Sequence, residues 1–186
     1  MKKNRAIASF MISSLLALTI PVFINPHKAD AKDYSENLCR LTVVGIYLAT
    51  LTQTNSTSSQ PSSYREIATF TADGNLIAND SNANGVPGSS NPDDQPFGSS
   101  QGSWKCTGNN EIVAKTLNFS FPSGSLPGNI AVTEYHLRFN PQTFTVNGTY
   151  KYSYYDLNKS PLDQKTKPLP YGVFEYRFQG VKLKAD

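Results

Sequence analysis

Over most of the chain apolar and polar residues alternate with a period of two, the period of a strand with one covered face. The longest such stretch is 129–156, interrupted once at Asn140-Pro141-Gln142-Thr143. A two-residue turn at Pro141-Gln142 pairs Asn140 with Thr143. It then sets Phe139 opposite Phe144, Leu137 opposite Val146, Tyr135 opposite Gly148, Thr133 opposite Tyr150 and Ala131 opposite Tyr152. These residues make one mainly apolar face, while Glu134, His136, Arg138 and Lys151 fall on the other. A slip of one residue would exchange the two faces, so the pattern predicts a half-buried antiparallel hairpin. An aromatic ring over a glycine, here Tyr135 over Gly148, covers a bare strand position.

Shorter stretches at 40–51, 64–72, 75–80, 101–107, 111–121 and 171–183 also predict strands. The 40–51 stretch is apolar on both faces and reads as a well-covered strand. Asp73-Gly74 and Gly108-Asn109-Asn110 are tight-turn signals, whereas 53–63, 81–100, 122–128 and 157–170 are rich in Ser, Asn, Gly or Pro and predict longer loops. Asp33-Tyr34-Ser35-Glu36 fits a helix cap followed by a carboxylate and predicts one helical turn. Eight strands in series predict an all-β fold: an eight-stranded antiparallel up-and-down barrel with a short N-terminal helical turn. Closure removes the exposed sheet edges. Tight and long connections alternate, so one end should be pinched and the other ringed by loops.

The first residues change the picture of the charge. Lys2, Lys3 and Arg5, an apolar run over 6–20 and Ala29-Asp30-Ala31 form the pattern of a secretory signal, residues 1–31, with cleavage expected after Ala31. The apolar run is short and Pro21 interrupts it, which weighs against an uncleaved anchor. The remainder, 32–186, suits one barrel domain. The whole chain has net charge +3, but four of its 17 basic residues and one of its 14 acidic ones lie in the leader. The exported part is therefore balanced and carries no basic cluster, which argues against nucleic acid as a partner. A secreted or periplasmic location follows, with no membrane insertion after cleavage, since the outward faces carry Glu134, Lys151, Glu175 and Arg177. Cys39 and Cys106 are an even pair in an exported chain and predict a disulfide. Both fall at the pinched end if the leading segment crosses under the barrel.

This eight-strand meander, with a turn closing one end and loops at the other, resembles the calycin-type barrels such as lipocalins. Lipocalins carry a G-x-W on their first strand, whereas Gly102-Ser103-Trp104 falls here on the fourth. The chain is also similar to bacterial barrels of the allene-oxide-cyclase type. The resemblance implies a cup for a small apolar molecule.

Candidate chemistry follows from the predicted inward face. Tyr135, Phe139, Phe144, Tyr150, Tyr152, Tyr154, Phe174, Tyr176 and Phe178 project to the interior. Filling the core is their plainest role, but a sealed core favours Phe and Leu unless each phenol finds a partner. Tyr135, Tyr150, Tyr152, Tyr154, Phe174 and Tyr176 are therefore the expected ligand-binding set. Lys115 alternates with Val113, Leu117 and Phe119 and joins that set as an inward cation for a ligand carboxylate, or else lies at the rim. Asp80, Asn82 and Asn84 before Gly85 match the opening of a calcium loop without its closing glutamate, so calcium is the one metal that the pattern admits and no other cofactor is expected. Once the leader is removed, His136 is the single histidine. It lies on the polar face, which argues against zinc and against a serine–histidine triad. The first functional expectation is a secreted barrel binding a small hydrophobic molecule without covalent chemistry. The alternatives are a cyclase or isomerase using the tyrosines with Lys115 or Glu66, and a pocketless barrel acting through its loops. An inward carboxylate or lysine with a perturbed pKa would favour the enzyme, and an uncharged aromatic cup the binder.

Overall fold

The computed structural model describes residues 31–55, 62–87 and 91–184. Helix α1 (Ala31–Val43) leads into eight strands: β1 (Gly45–Gln53), β2 (Ser63–Phe70), β3 (Asn75–Asp80), β4 (Ser100–Gly108), β5 (Glu111–Ser120), β6 (Asn129–Asn140), β7 (Thr145–Asp156) and β8 (Phe174–Lys182). Each strand pairs antiparallel with the next, and β8 returns to β1 to close the barrel. This is the expected up-and-down meander. The predicted signal lies outside the described residues, apart from Ala31.

The helix is longer than the single turn predicted, and it takes Arg40 to Val43 from the predicted first strand. Cys39 and Val43, four residues apart, share a helical face that packs under the barrel and is fully buried. That tertiary contact outweighs the strand preference of the Thr-Val-Val run. Gly45, at φ 149°, turns the chain into β1. The helix seals the tight-turn end: Arg40 donates to Ala72 O at 3.1 Å and lies over the Trp104 ring, and Tyr47 donates its phenol to Val43 O at 3.0 Å. Cys39 is bonded to Cys106 from this helix rather than from a strand.

The β6–β7 hairpin differs in register by two residues. Asn140 pairs with Thr145 across a four-residue loop, so Phe139 faces Val146, Leu137 faces Gly148 and Tyr135 faces Tyr150. A shift of two preserves which face is inward, so the predicted interior survives apart from Phe144, which sits in the loop at φ 57° and is exposed. The Asn140 side chain selects this loop, because its Oδ1 accepts from the backbone N–H of Gln142 and of Thr143. The outer face of β1 is also not covered as predicted. Leu48 lies between Ile67 and Val181 on neighbouring strands, and all three are exposed.

Two substitutions test this architecture. A Cβ at Gly148 would lie 2.0 Å from His136 O, on rigid paired backbone. Gly148→Ala should therefore cost roughly 1–3 kcal/mol in urea unfolding, and an unchanged midpoint would contradict the close β6–β7 approach. Removing the Cys39–Cys106 link, which spans 67 residues, should cost about 4 kcal/mol, read as a lower thermal midpoint of the double alanine variant.

Candidate functional site

The barrel interior has two unlike halves. Near the helix, Tyr47, Phe70, Phe139 and Trp104 meet edge to face at centroid distances of 5.3–6.1 Å. Leu76, Ile112, Leu137 and Val146 fill the gaps between them. This half is a packed apolar plug.

The half nearer the long loops is polar and tyrosine-rich. β2 and β3 pair Glu66 with Asp80 directly, and both carboxyls point inward. Glu66 is 1% exposed. β6 and β7 pair Tyr135 with Tyr150 and Thr133 with Tyr152, and β8 adds Tyr176 beside Tyr150 and Phe174 beside Tyr152. Tyr135 reaches across the barrel and donates its phenol to Glu66 Oε2 at 3.3 Å. The rings form a continuous series: Tyr135–Tyr150 at 5.2 Å, Tyr150–Tyr176 at 5.3 Å, and Tyr152 stacked on Phe174 at 5.0 Å.

Asp80, Asn82, Asn118, Thr133, Tyr150, Tyr152 and Tyr154 line a cavity of about 20 Å³, room for about one water-sized group. The loop-side end is covered rather than open. A short 3-10 turn at Pro92–Asp94 crosses it, and Tyr154 donates to Pro92 O at 2.9 Å. The buried Gln95 amide donates to Phe121 O and Pro127 O and accepts from Asn129 Nδ2 at 3.0 Å. The 157–173 connection adds Leu169 N–H to Tyr154 O at 2.7 Å and the Tyr171 ring against Tyr154.

The electrostatics of the carboxyl pair are set by burial. Burial first, and then the negative charge of Asp80, raise Glu66 well above the usual carboxyl range. Burial raises Asp80 to about 7. No basic side chain among the described residues offsets either group. Burial likewise raises Tyr135 and Tyr150, with the two carboxyls adding to the effect. Beyond the contact between the two acids, Glu66 Oε1 and Asp80 Oδ1 have no hydrogen-bond donor among the described residues, and Asn118 Oδ1 and Trp104 Nε1 have no partner there. Adjacent carboxyls that cannot both ionise hold a proton between them.

Of the predicted ligand-binding residues, Tyr135, Tyr150, Tyr152, Tyr154 and Tyr176 are buried together, and Phe174 is partly buried beside them. Lys115 is not among them. It points outward and bonds Glu134 Oε1 at 2.9 Å, because the inward set of β5 is Ile112, Ala114, Thr116, Asn118 and Ser120. Val113, Leu117 and Phe119 are its outward apolar residues. Glu134, His136 and Arg138 lie on the outer face as predicted, with Arg138 bonded to Glu111 at 2.8 Å. Of the calcium-like residues, Asp80 turns into the barrel toward Glu66, Asn82 lines the cavity and Asn84 is exposed. The central part of Glu66, and the inward role of Asp80, were carried by a weak signal. Glu66-x-Ala68-x-Phe70 and Leu76-x-Ala78-x-Asp80 are both period-two runs that continue an apolar face into a carboxylate.

Comparison of the chain with family models, with curated proteins and with solved structures returned no match.

A raised carboxyl pKa favours the folded state at low pH. That contribution is complete below the ordinary carboxyl range near pH 4 and is lost as pH rises through about 7. Asp80→Asn removes it. The variant should therefore gain stability relative to the parent between about pH 4 and pH 7, by on the order of a few kcal/mol. Thermal unfolding of both proteins across that range checks this, and a difference independent of pH would contradict the buried pair.

Proposed function

We propose that this chain is an exported barrel that holds a small molecule in its tyrosine-rich half, gripping an apolar body between the rings and a polar end at Glu66 and Asp80. The observation that carries the reading is the carboxyl pair itself. Burying two acids without a cation is costly, and a sealed core of leucine and phenylalanine would be more stable. The unpartnered oxygens and the adjoining cavity are what a binding site requires and what a structural core avoids. The leader pattern and the disulfide support export. The likeness to calycin-type barrels supports a ligand carried within the strands, by analogy of architecture.

An enzyme of the cyclase or isomerase kind in the same barrel is the second reading. It is favoured by Asp80, whose pKa of about 7 suits a general acid or base at neutral pH. Turnover would require a reacting atom within hydrogen-bond reach of Asp80, whereas binding requires only a donor there.

Native mass spectrometry of the protein purified from its own cells tests the first reading. A small-molecule adduct released on denaturation is expected. A bare chain would overturn it, and so would an adduct that persists undiminished in a variant narrowing the cavity, such as Thr133→Phe.

A further inference from the structure

Resting on that binding site, we infer that the group recognised between Glu66, Asp80 and Asn118 is a primary ammonium, so that the ligand is a slender organic cation. The unpartnered atoms decide the chemistry. Asn118 Oδ1 has no donor among the described residues, and Glu66 Oε1 and Asp80 Oδ1 have none beyond the proton that the two acids share. Thr116, wholly buried and directly opposite the cavity-lining Thr133, adds a hydroxyl that can accept as well. The shared proton and the Thr116 hydroxyl are the donors at these acceptors, and an alkylammonium in place of that proton brings three.

The other contents of the site point the same way. Tyr150, Tyr152 and Tyr154 line the cavity, and aromatic rings in a desolvated site attract a cation. A cavity of about 20 Å³ accepts a head group near the size of water, so the rest of the ligand lies along the rings toward the loop end. A carboxylate ligand would meet two acids and no cation, and is rejected.

The titratable groups lining the cavity are Tyr64 from β2, Asp80 from β3, and Tyr150, Tyr152 and Tyr154 from β7; Glu66 of β2 is paired with Asp80, and Tyr135 of β6 and Tyr176 of β8 pack against Tyr150. β5 contributes Asn118 and Ser120, and β6 Ala131 and Thr133. Burial raises the Tyr135 and Tyr150 phenols above their ordinary range, whereas Asp80 is brought to about 7, so the carboxyl pair changes charge between pH 6 and 8. Without ligand the pair holds a proton. An arriving ammonium favours its ionised form, and the displaced proton passes to solvent.

Amide chemical-shift titration of the purified chain with n-butylamine, 1-butanol and butyrate tests the inference. n-Butylamine should perturb Glu66, Asp80 and Tyr150 with an affinity at least tenfold above that of 1-butanol, rising at least threefold from pH 6 to 8, while butyrate leaves those signals unmoved. Asp80→Asn should remove the tenfold preference and the pH dependence together. Equal affinity for the alcohol would overturn the ammonium and leave a neutral-ligand site standing. Shifts confined to surface acids such as Glu111 would also overturn it. No response to any of the three would count against the ammonium alone, since a native adduct in the mass spectrum would still show the binding site in use. The pH profile and the alcohol comparison need no variant, so a misfolded substitution does not weaken the test.

Discussion

Closure of the sheet by pairing β8 with β1 is the constraint from which the rest follows. Once the ladder is a cylinder, every second side chain points to one axis, and the space at eight strands is only just enough for them. Large rings must then be matched by small partners. The rings come mostly from β6, β7 and β8, as Tyr135, Phe139, Tyr150, Tyr152, Tyr154, Tyr176 and Phe178. β1, β2, β3 and β5 answer with Ala49, Ala68, Ala78 and Ala114, and β4, β7 and β8 with Gly102, Gly148 and Gly180. A Cβ at Gly102 would come within 1.9 Å of Lys115 O, so its smallness is set by backbone approach as well as by interior volume.

The cylinder is used differently at its two ends. At the helix end apolar packing is complete, and the disulfide ties the helix to β4 across a long loop. That half supplies the stability. At the loop end the interior accepts two acids, several phenols and unpartnered polar atoms, an arrangement that costs stability and requires the other half to offset it.

The fold was legible because period-two alternation survives small errors. The β6–β7 register slipped by two without exchanging faces, so the inward tyrosines remained inward although every named pair changed. What the sequence obscured was set by tertiary contact. The Thr42-Val43 segment has strand character but is held in a helix by Cys39 and Val43 beneath the barrel. Lys115 lies among alternating apolar neighbours, and only the pairing of β5 with β6, which places Glu134 next to it, shows that face to be the outer one. The two acids that define the chamber were the least visible, since a carboxylate in an apolar alternation reads as a break in the pattern until the strand opposite is known to carry another.

The central claim is that Glu66 and Asp80 share a proton at neutral pH inside the barrel. Carbon-13 NMR of the side-chain carboxyl carbons, followed from pH 4 to 9 in ligand-free protein, tests it most directly. The account expects Asp80 to titrate near 7 and Glu66 to titrate well above the usual carboxyl range. Two carboxyls that both ionise below pH 5 would contradict it.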